Sequence, residues 1–167
     1  MILRKAILLE KDIIWTILQA AIARRKADGS SQWQNGYPNL KTVENDINSG
    51  IGYVLVENET IIAYAAILFT PEPAYEVIDG QWLTNGKYVT IHRVATAPSE
   101  IGKGIATKLF TFIENLAIEN AFFSIKVDTN FDNLPMLKIM KNLAYTHCGE
   151  VLLQGAPRMA FEKILKN

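Results

Sequence analysis

The chain has 167 residues, 49% hydrophobic and 20% charged, with seventeen basic and seventeen acidic side chains and a formal net charge of zero. That length suits one packed domain spanning 1–167, and the balance is that of a globular protein. Zero net charge gives no bulk electrostatic drive toward nucleic acid or an anionic membrane. Cys148 is the one cysteine, which excludes an internal disulfide and a four-cysteine zinc site; no metal is expected.

The opening "MILRKAILLEKD" lacks the hydrophobic core of a signal peptide, and no run approaches eighteen apolar residues, so a cytoplasmic location is expected. Residues 2–8 read as a strand. Asp12 is placed to cap a helix over "IIWTILQAAIARRKA", closed by Asp28-Gly29. The basic cluster "ARRKADG" at that end complements the helix dipole. "SSQWQNGYPNL" (30–40) is a polar loop that carries Trp33 and Tyr37, and a short helix follows around "TVENDIN", ended by Gly50.

"IGYVLVEN" and "TIIAYAAILF" form a hairpin around a tight "ENET" turn. The irregular "TPEPAYEVIDGQWLTNG" is a long connection, and long connections within compact domains tend to be functional. "KYVTIHRVAT" is a fourth strand. The helix "GIATKLFTFIENLAIEN" has Ile105, Leu109, Phe112, Ile113 and Leu116 on one stripe. "AFFSIKVDT" is a nearly continuous apolar strand suited to the middle of a sheet. A helix around "NLPMLKIMKNLA" and two last strands, "HCGEVLLQG" and "PRMAFEKIL", complete a mixed α/β pattern.

The loop "IGKGIATKLF", which links the fourth strand to its helix, is open to two readings. Either its glycines turn the chain, or they bring unpartnered first-turn N–H groups up to an anion. A P-loop is excluded because Gly102-Lys103 is followed by Gly104. A dinucleotide fingerprint fits poorly, with Thr107 at its last position and Phe123 where an acidic residue belongs.

"HRVATAPSEIGKGIATKLF" resembles the cofactor loop of the GNAT superfamily of acyl-CoA N-acyltransferases. The motif Q/R-x-x-G-x-G/A reads here as Ile101-Gly102-Lys103-Gly104-Ile105-Ala106, with Ile101 replacing the leading Gln or Arg. "SQWQNGYPN", "IHRVA" and "VDTNFDN" resemble a bacterial subgroup whose substrates are unassigned. The element order resembles the family's over nearly the whole chain. The resemblance implies a mostly antiparallel sheet with helices on both faces, its fourth and fifth strands splayed around the pantetheine arm of acetyl-CoA. It also implies cofactor contacts from Ile101, Gly102, Lys103, Gly104, Ile105, Ala106 and Thr107, from the backbone of Val94 and Thr96, and from Asn133, which falls where the family has the asparagine of its N-x-x-A-x-x-L-Y motif.

Acyl transfer to an amine requires a base for the ammonium, a donor for the carbonyl oxygen and a proton for the departing thiolate. The resemblance places the oxygen's donor at the backbone N–H near Val94. His92, two residues before Val94, stands where many relatives carry a glutamate base, and an imidazole suits base work near neutrality. The alternative is a half-buried strand histidine bonded to a neighbour. Glu72 and Glu76 in the preceding connection are further candidates for base. Family members often use a helix tyrosine as acid, and here that position is Met140. Tyr145 is then the candidate acid, against a reading as a core aromatic; His147 and Cys148 lie nearby without constraint.

For the acceptor, Trp33 and Tyr37 either line a pocket or tuck into the core, and Asp128 is placed to pair with an amine. Arg93 and Arg158 are candidates to hold a substrate carboxylate. The expected activity is acetyl transfer from acetyl-CoA to a primary amine of a small molecule or amino acid, by direct attack in a ternary complex. A non-catalytic acyl-CoA sensor is the alternative. A homodimer is compatible with the resemblance, and neither a nucleic-acid nor a membrane partner is expected.

Overall fold

The computed structural model describes residues 1–166. In chain order its elements are β1 (Ile2–Lys5), α1 (Lys11–Ala27), α2 (Leu40–Asn48), β2 (Gly52–Glu57), β3 (Thr60–Leu68), β4 (Ile78–Gly80), β5 (Val89–Thr96), α3 (Ile105–Glu119), β6 (Ser124–Thr129), α4 (Leu134–Asn142), β7 (Thr146–Leu153) and β8 (Ala156–Ile164). The predicted order is found with one strand added. The chain divides into two compact units, Met1–Ile67 with Arg93–Phe112, and Leu68–His92 with the chain from Ile113 onward.

In the first unit β1, β2 and β3 are antiparallel neighbours, in register through Leu3↔Leu55 and Tyr53↔Ala65. Against them α1 buries Ile14, Ile17, Leu18 and Ala21, the i, i+3, i+4, i+7 row of one helix face, together with Val43, Val54, Tyr64 and Ala95. Asp12 does not cap α1. A single 3-10 turn over Leu8–Glu10 precedes the helix, which starts at Lys11 and leaves Asp12 in its first turn, where the dipole favours a carboxylate. At the far end Arg25 is buried and pairs with Asp28 at 3.2 Å, so part of the basic cluster is structural. α2 begins two residues before its predicted start because Asn39 caps it, accepting from the Thr42 N–H at 3.0 Å.

In the second unit β6 pairs antiparallel with β8 from Ser124↔Ile164 to Thr129↔Met159, and β8 returns against β7. The start of β5 runs parallel to β6 through Val89↔Ile125 and Thr90↔Lys126. The added strand β4 lies in the connection read as irregular and pairs with β7 through Gly80↔Gly149. A Cβ on Gly80 would sit 2.1 Å from the Cys148 carbonyl oxygen, and one on Gly149 as close to that of Asp79. Only a pair of glycines lets these backbones approach so far.

That connection is tied down from below. The fully buried Glu162 carboxylate accepts from the N–H groups of Leu83 (2.6 Å) and Thr84 (3.3 Å), from the Thr84 hydroxyl, and from the Ser124 hydroxyl at 2.6 Å. Lys126 carries its ammonium over the rings of Trp82 and Tyr88, 4.5 and 4.2 Å from their centroids. Along α3 the buried row is Ile105, Leu109, Ile113 and Ala117 with Phe110, while Phe112 and Leu116 are only half-buried. No helix among the described residues is long and apolar enough to cross a membrane.

Candidate active site

Strand alternation fixes the first feature of the second unit. Thr90↔Lys126 pairing in a parallel ladder brings His92 and Asp128, two residues further along each strand, to the same face. His92 Nδ1 lies 3.6 Å from Asp128 Oδ1, and Nε2 lies 3.0 Å from Glu72 Oε2. One imidazole therefore stands between two carboxylates, with side-chain exposures of 12% for His92, 17% for Glu72 and 6% for Asp128.

The connection from β3 places Glu72. Its Oε1 accepts from the Ala74 N–H at 3.2 Å, capping a 3-10 turn over Pro73–Tyr75, and its own N–H donates to the Tyr88 hydroxyl at 3.0 Å. At the end of that turn Tyr75 is buried and donates its phenol to Asp128 Oδ1 at 2.6 Å. Burial first, and the Asp128 charge second, push the Tyr75 phenol well above its ordinary range, so it stays a proton donor to Asp128. Trp82 Nε1 donates to the Tyr75 carbonyl at 2.9 Å, and Arg158 Nε lies 4.0 Å from Asp128 Oδ2. The result is a partly shielded acid–base cluster walled by Tyr75, Tyr88 and Trp82.

The first unit holds the glycine loop. A 3-10 turn over Pro98–Glu100 leads into exposed residues Ile101, Gly102, Lys103 and Gly104, and α3 starts at Ile105. Gly102 and Gly104 have φ of +80° and +74°, and a Cβ on either would meet nothing within 4 Å. Their glycine character is thus required by backbone conformation, and the space beside them is open. Lys103 reaches back to Glu100 at 3.4 Å.

The profile of the acetyltransferase (GNAT) family matches residues 18–145. The chain belongs to the GNAT acetyltransferase family. No curated protein matches it. Among solved structures it is similar to a GNAT-family acetyltransferase from Streptococcus agalactiae, at 34% identity and a TM-score of 0.90, covering 99% of this chain and 96% of that one. A GNAT-family acetyltransferase from Listeria monocytogenes is 20% identical with a TM-score of 0.77, covering 98% and 94%. The aminoglycoside acetyltransferase AAC(6')-Ib in complex with coenzyme A is 19% identical with a TM-score of 0.71, covering 97% and 93%. These last two likenesses concern the fold, and the mixed α/β fold is the family's.

In this acetyltransferase the residues singled out from sequence fall into separate groups. His92 and Asp128 meet, with Glu72 as third member. Gly102 to Thr107 form the loop and first turn of α3, while Val94 and Thr96 lie on β5 just before it. Asn133 caps α4, its Oδ1 accepting from the Met136 N–H at 3.3 Å. Trp33 packs against the first unit's core at φ +63°.

Arg93 is turned inward. Its guanidinium forks onto Asp46 at 2.8 and 2.7 Å, donates to the Tyr37 hydroxyl, and shares Asp46 with the Tyr64 phenol, which donates at 2.6 Å. Desolvation of this buried guanidinium opposes its charge, but Asp46, Tyr37 and Tyr64 together outweigh it and the Arg93 pKa stays raised. The Tyr64 phenol is pushed above its usual range, mainly by burial.

Tyr145 is buried beside Glu114, with Lys163 5.5 Å over its ring, and burial pushes its phenol well up. A phenol that holds its proton more tightly is a weaker acid. Met140, at the position expected from sequence to hold a tyrosine acid, is fully buried. Met140→Ala is expected to cost about 2–5 kcal/mol, read as a thermal midpoint lower by roughly 4–20 °C, with kcat within about twofold of wild type. A collapse of kcat at an unchanged midpoint would contradict this.

Proposed function

We propose that residues 1–167 form one acetyltransferase domain that moves an acetyl group from acetyl-CoA to a primary amine of a small cationic molecule, by direct attack in a ternary complex. The observation that carries the reading is the Glu72–His92–Asp128 cluster, whose carboxylates and imidazole supply what an ammonium needs to lose its proton. Family membership supports the donor. So do the complexes of the aminoglycoside acetyltransferase AAC(6')-Ib with coenzyme A, with ribostamycin and coenzyme A, and with parmomycin and acetyl-CoA.

The residues present fit acetyl-CoA. Open space beside Gly102 and Gly104 admits a pyrophosphate to the α3 N-terminus, with N–H groups of Lys103 through Thr107 as donors and the Lys103 ammonium nearby. Asn130 Oδ1 is buried without a hydrogen-bond partner among the described residues, and an amide N–H is the kind of donor it lacks. Backbone groups of Val94 and Thr96 and the Asn133 side chain complete the proposed set, with the Val94 N–H as donor to the carbonyl oxygen. Acetyl-CoA brings an acyl group activated as a thioester.

Arg93 is held by Asp46 and Tyr37, so a substrate carboxylate would have to displace Asp46 to use it. Arg158 lies beside Asp128. With both arginines facing protein acids, the acceptor proposed is a cationic amine for which a carboxylate is not required.

Calorimetric titration with acetyl-CoA, with ATP and NAD in parallel, is the test. Acetyl-CoA alone should bind, and a panel of polyamines and aminoglycosides should then release free thiol. Cys148 is buried and its thiol is pushed up by that burial, so a thiol reagent reads the released product. A folded protein that binds none of the three would overturn the reading. Acetyl-CoA binding without turnover of any amine would favour a sensor.

A further inference from the structure

We infer that Glu72, rather than the imidazole beside it, takes the proton from the acceptor's ammonium, and that His92, Asp128 and Tyr75 are positioning residues that hold it. The inference rests on the amine-acceptor reading above and names the atom at which its proton arrives.

The argument is a count of donors and acceptors. A neutral imidazole has one N–H and one lone pair. His92 Nε2 lies at hydrogen-bond distance from a Glu72 oxygen, 3.0 Å, and an ionised carboxylate only accepts, so Nε2 must carry hydrogen. Nδ1 faces the second carboxylate, Asp128 Oδ1 at 3.6 Å. The neutral ring's lone pair is then on Nδ1, which faces Asp128, whose side chain is 6% exposed, while the nitrogen beside the more open Glu72 carries the hydrogen. His92 is thus a donor to Glu72 in this arrangement, which is the opposite of what a base needs.

The two carboxylates differ. Asp128 takes the Tyr75 phenol on Oδ1 and faces Arg158 on Oδ2, and its side chain is 6% exposed. Glu72 is the more open at 17% and lies in the connection rather than inside the sheet. Its backbone is fixed by the Tyr88 hydroxyl and its Oε1 by the Ala74 N–H, so the carboxylate is held without being enclosed. An ammonium in this acidic, aromatic-walled cluster meets Glu72 first.

The proton balance closes. One N–H bond of the ammonium breaks, its electron pair stays on nitrogen, and the proton passes to a Glu72 oxygen to give the carboxylic acid. The freed nitrogen lone pair is then available to attack. Glu72 returns its proton to water, and the carboxylate is restored against the His92 N–H.

Two measurements test this. The first needs no substrate: the two-bond proton–nitrogen spectrum of the imidazoles at pH 7.5, with His92 and His147 told apart by His147→Gln. Nε2 of His92 should carry hydrogen, and its signal should move in Glu72→Gln while that of His147 stays. A neutral Nδ1–H form with a bare Nε2 would overturn the inference, because the imidazole would then own the lone pair. The second is steady-state kinetics on an amine that the wild type acetylates. Glu72→Gln should lower kcat by at least about 100-fold, with the KM for acetyl-CoA within twofold. A kcat within threefold of wild type removes Glu72 from the proton's path. Failure of the function itself would appear differently, as wild-type protein that does not bind acetyl-CoA.

Discussion

His92→Phe is expected to lower kcat by about 10²-fold, the loss that follows when a reacting group is displaced by roughly an ångström, while His92→Gln stays within about tenfold of wild type. The difference lies in one N–H. His92 Nε2 is 3.0 Å from Glu72 Oε2, and a glutamine amide at this position presents a donor at nearly the same reach. Phenylalanine keeps the ring against Tyr75 but removes the N–H that faces Glu72 Oε2, while the Ala74 N–H still holds Oε1. Fold should survive both changes, since Asp128 retains the Tyr75 phenol and Arg158. The measurement is kcat by thiol release beside a thermal melt of each variant. Equal collapse in both would mean the imidazole itself accepts the proton, and full activity in both would detach His92 from the chemistry.

What could be read from sequence, and what could not, divides by the range of the interaction. The run "AFFSIKVDT" marks β6 but not its start: Ser124 to Val127 are buried, polar Ser124 and Lys126 included, while Phe123 lies before the strand and is exposed; the α3 stripe follows from a 3.6-residue period. These are local patterns. β4 escaped because Ile78-Asp79-Gly80 alternates too briefly to signal a strand, and its pairing is licensed by Gly149, far along the chain. Capping shows the same limit at short range: Asp12 is a good N-cap type, but the Glu10 carboxylate bonded to Arg4 and to the Ile7 N–H had already set the start of α1.

The site divides in the same way. His92 was legible from its place beside Val94, and Glu72 and Asp128 were visible as carboxylates without a common purpose. Only folding shows that a carboxylate twenty residues upstream and one on the neighbouring strand close on the same ring. Arg93 is the sharper case. Its type suggests a fork for a substrate acid, and its partner turns out to be Asp46, 47 residues earlier, for which no sequence pattern prepared the reader.

That partner makes Arg93 the most consequential residue for stability. Asp46 is 4% exposed, and its carboxylate is held by two guanidinium bonds and the Tyr64 phenol. Arg93→Met leaves that carboxylate buried with one donor in place of three, a change that costs about 3–5 kcal/mol and should lower the thermal midpoint by roughly 6–20 °C. The desolvation belongs to the pair, so removing both charges should recover much of the loss. Arg93→Met with Asp46→Leu and Tyr64→Phe, which leaves no orphaned polar atom among the three, is expected to melt well above Arg93→Met alone. A single variant that melts within about 2 °C of wild type would show the fork to be dispensable.

Arg93→Lys separates charge from geometry, because an ammonium cannot make the two parallel bonds of a guanidinium; an intermediate midpoint is expected. Arg93 also carries φ +55° in the middle of β5, a conformation that costs a non-glycine residue of order 1–3 kcal/mol and persists only where surrounding contacts enforce it. The fork onto Asp46 is that enforcement. Because Arg93 separates His92 from Val94 in the chain, loosening it should also reduce kcat in the folded fraction, by a factor that tracks the loss of the fork and not the loss of charge.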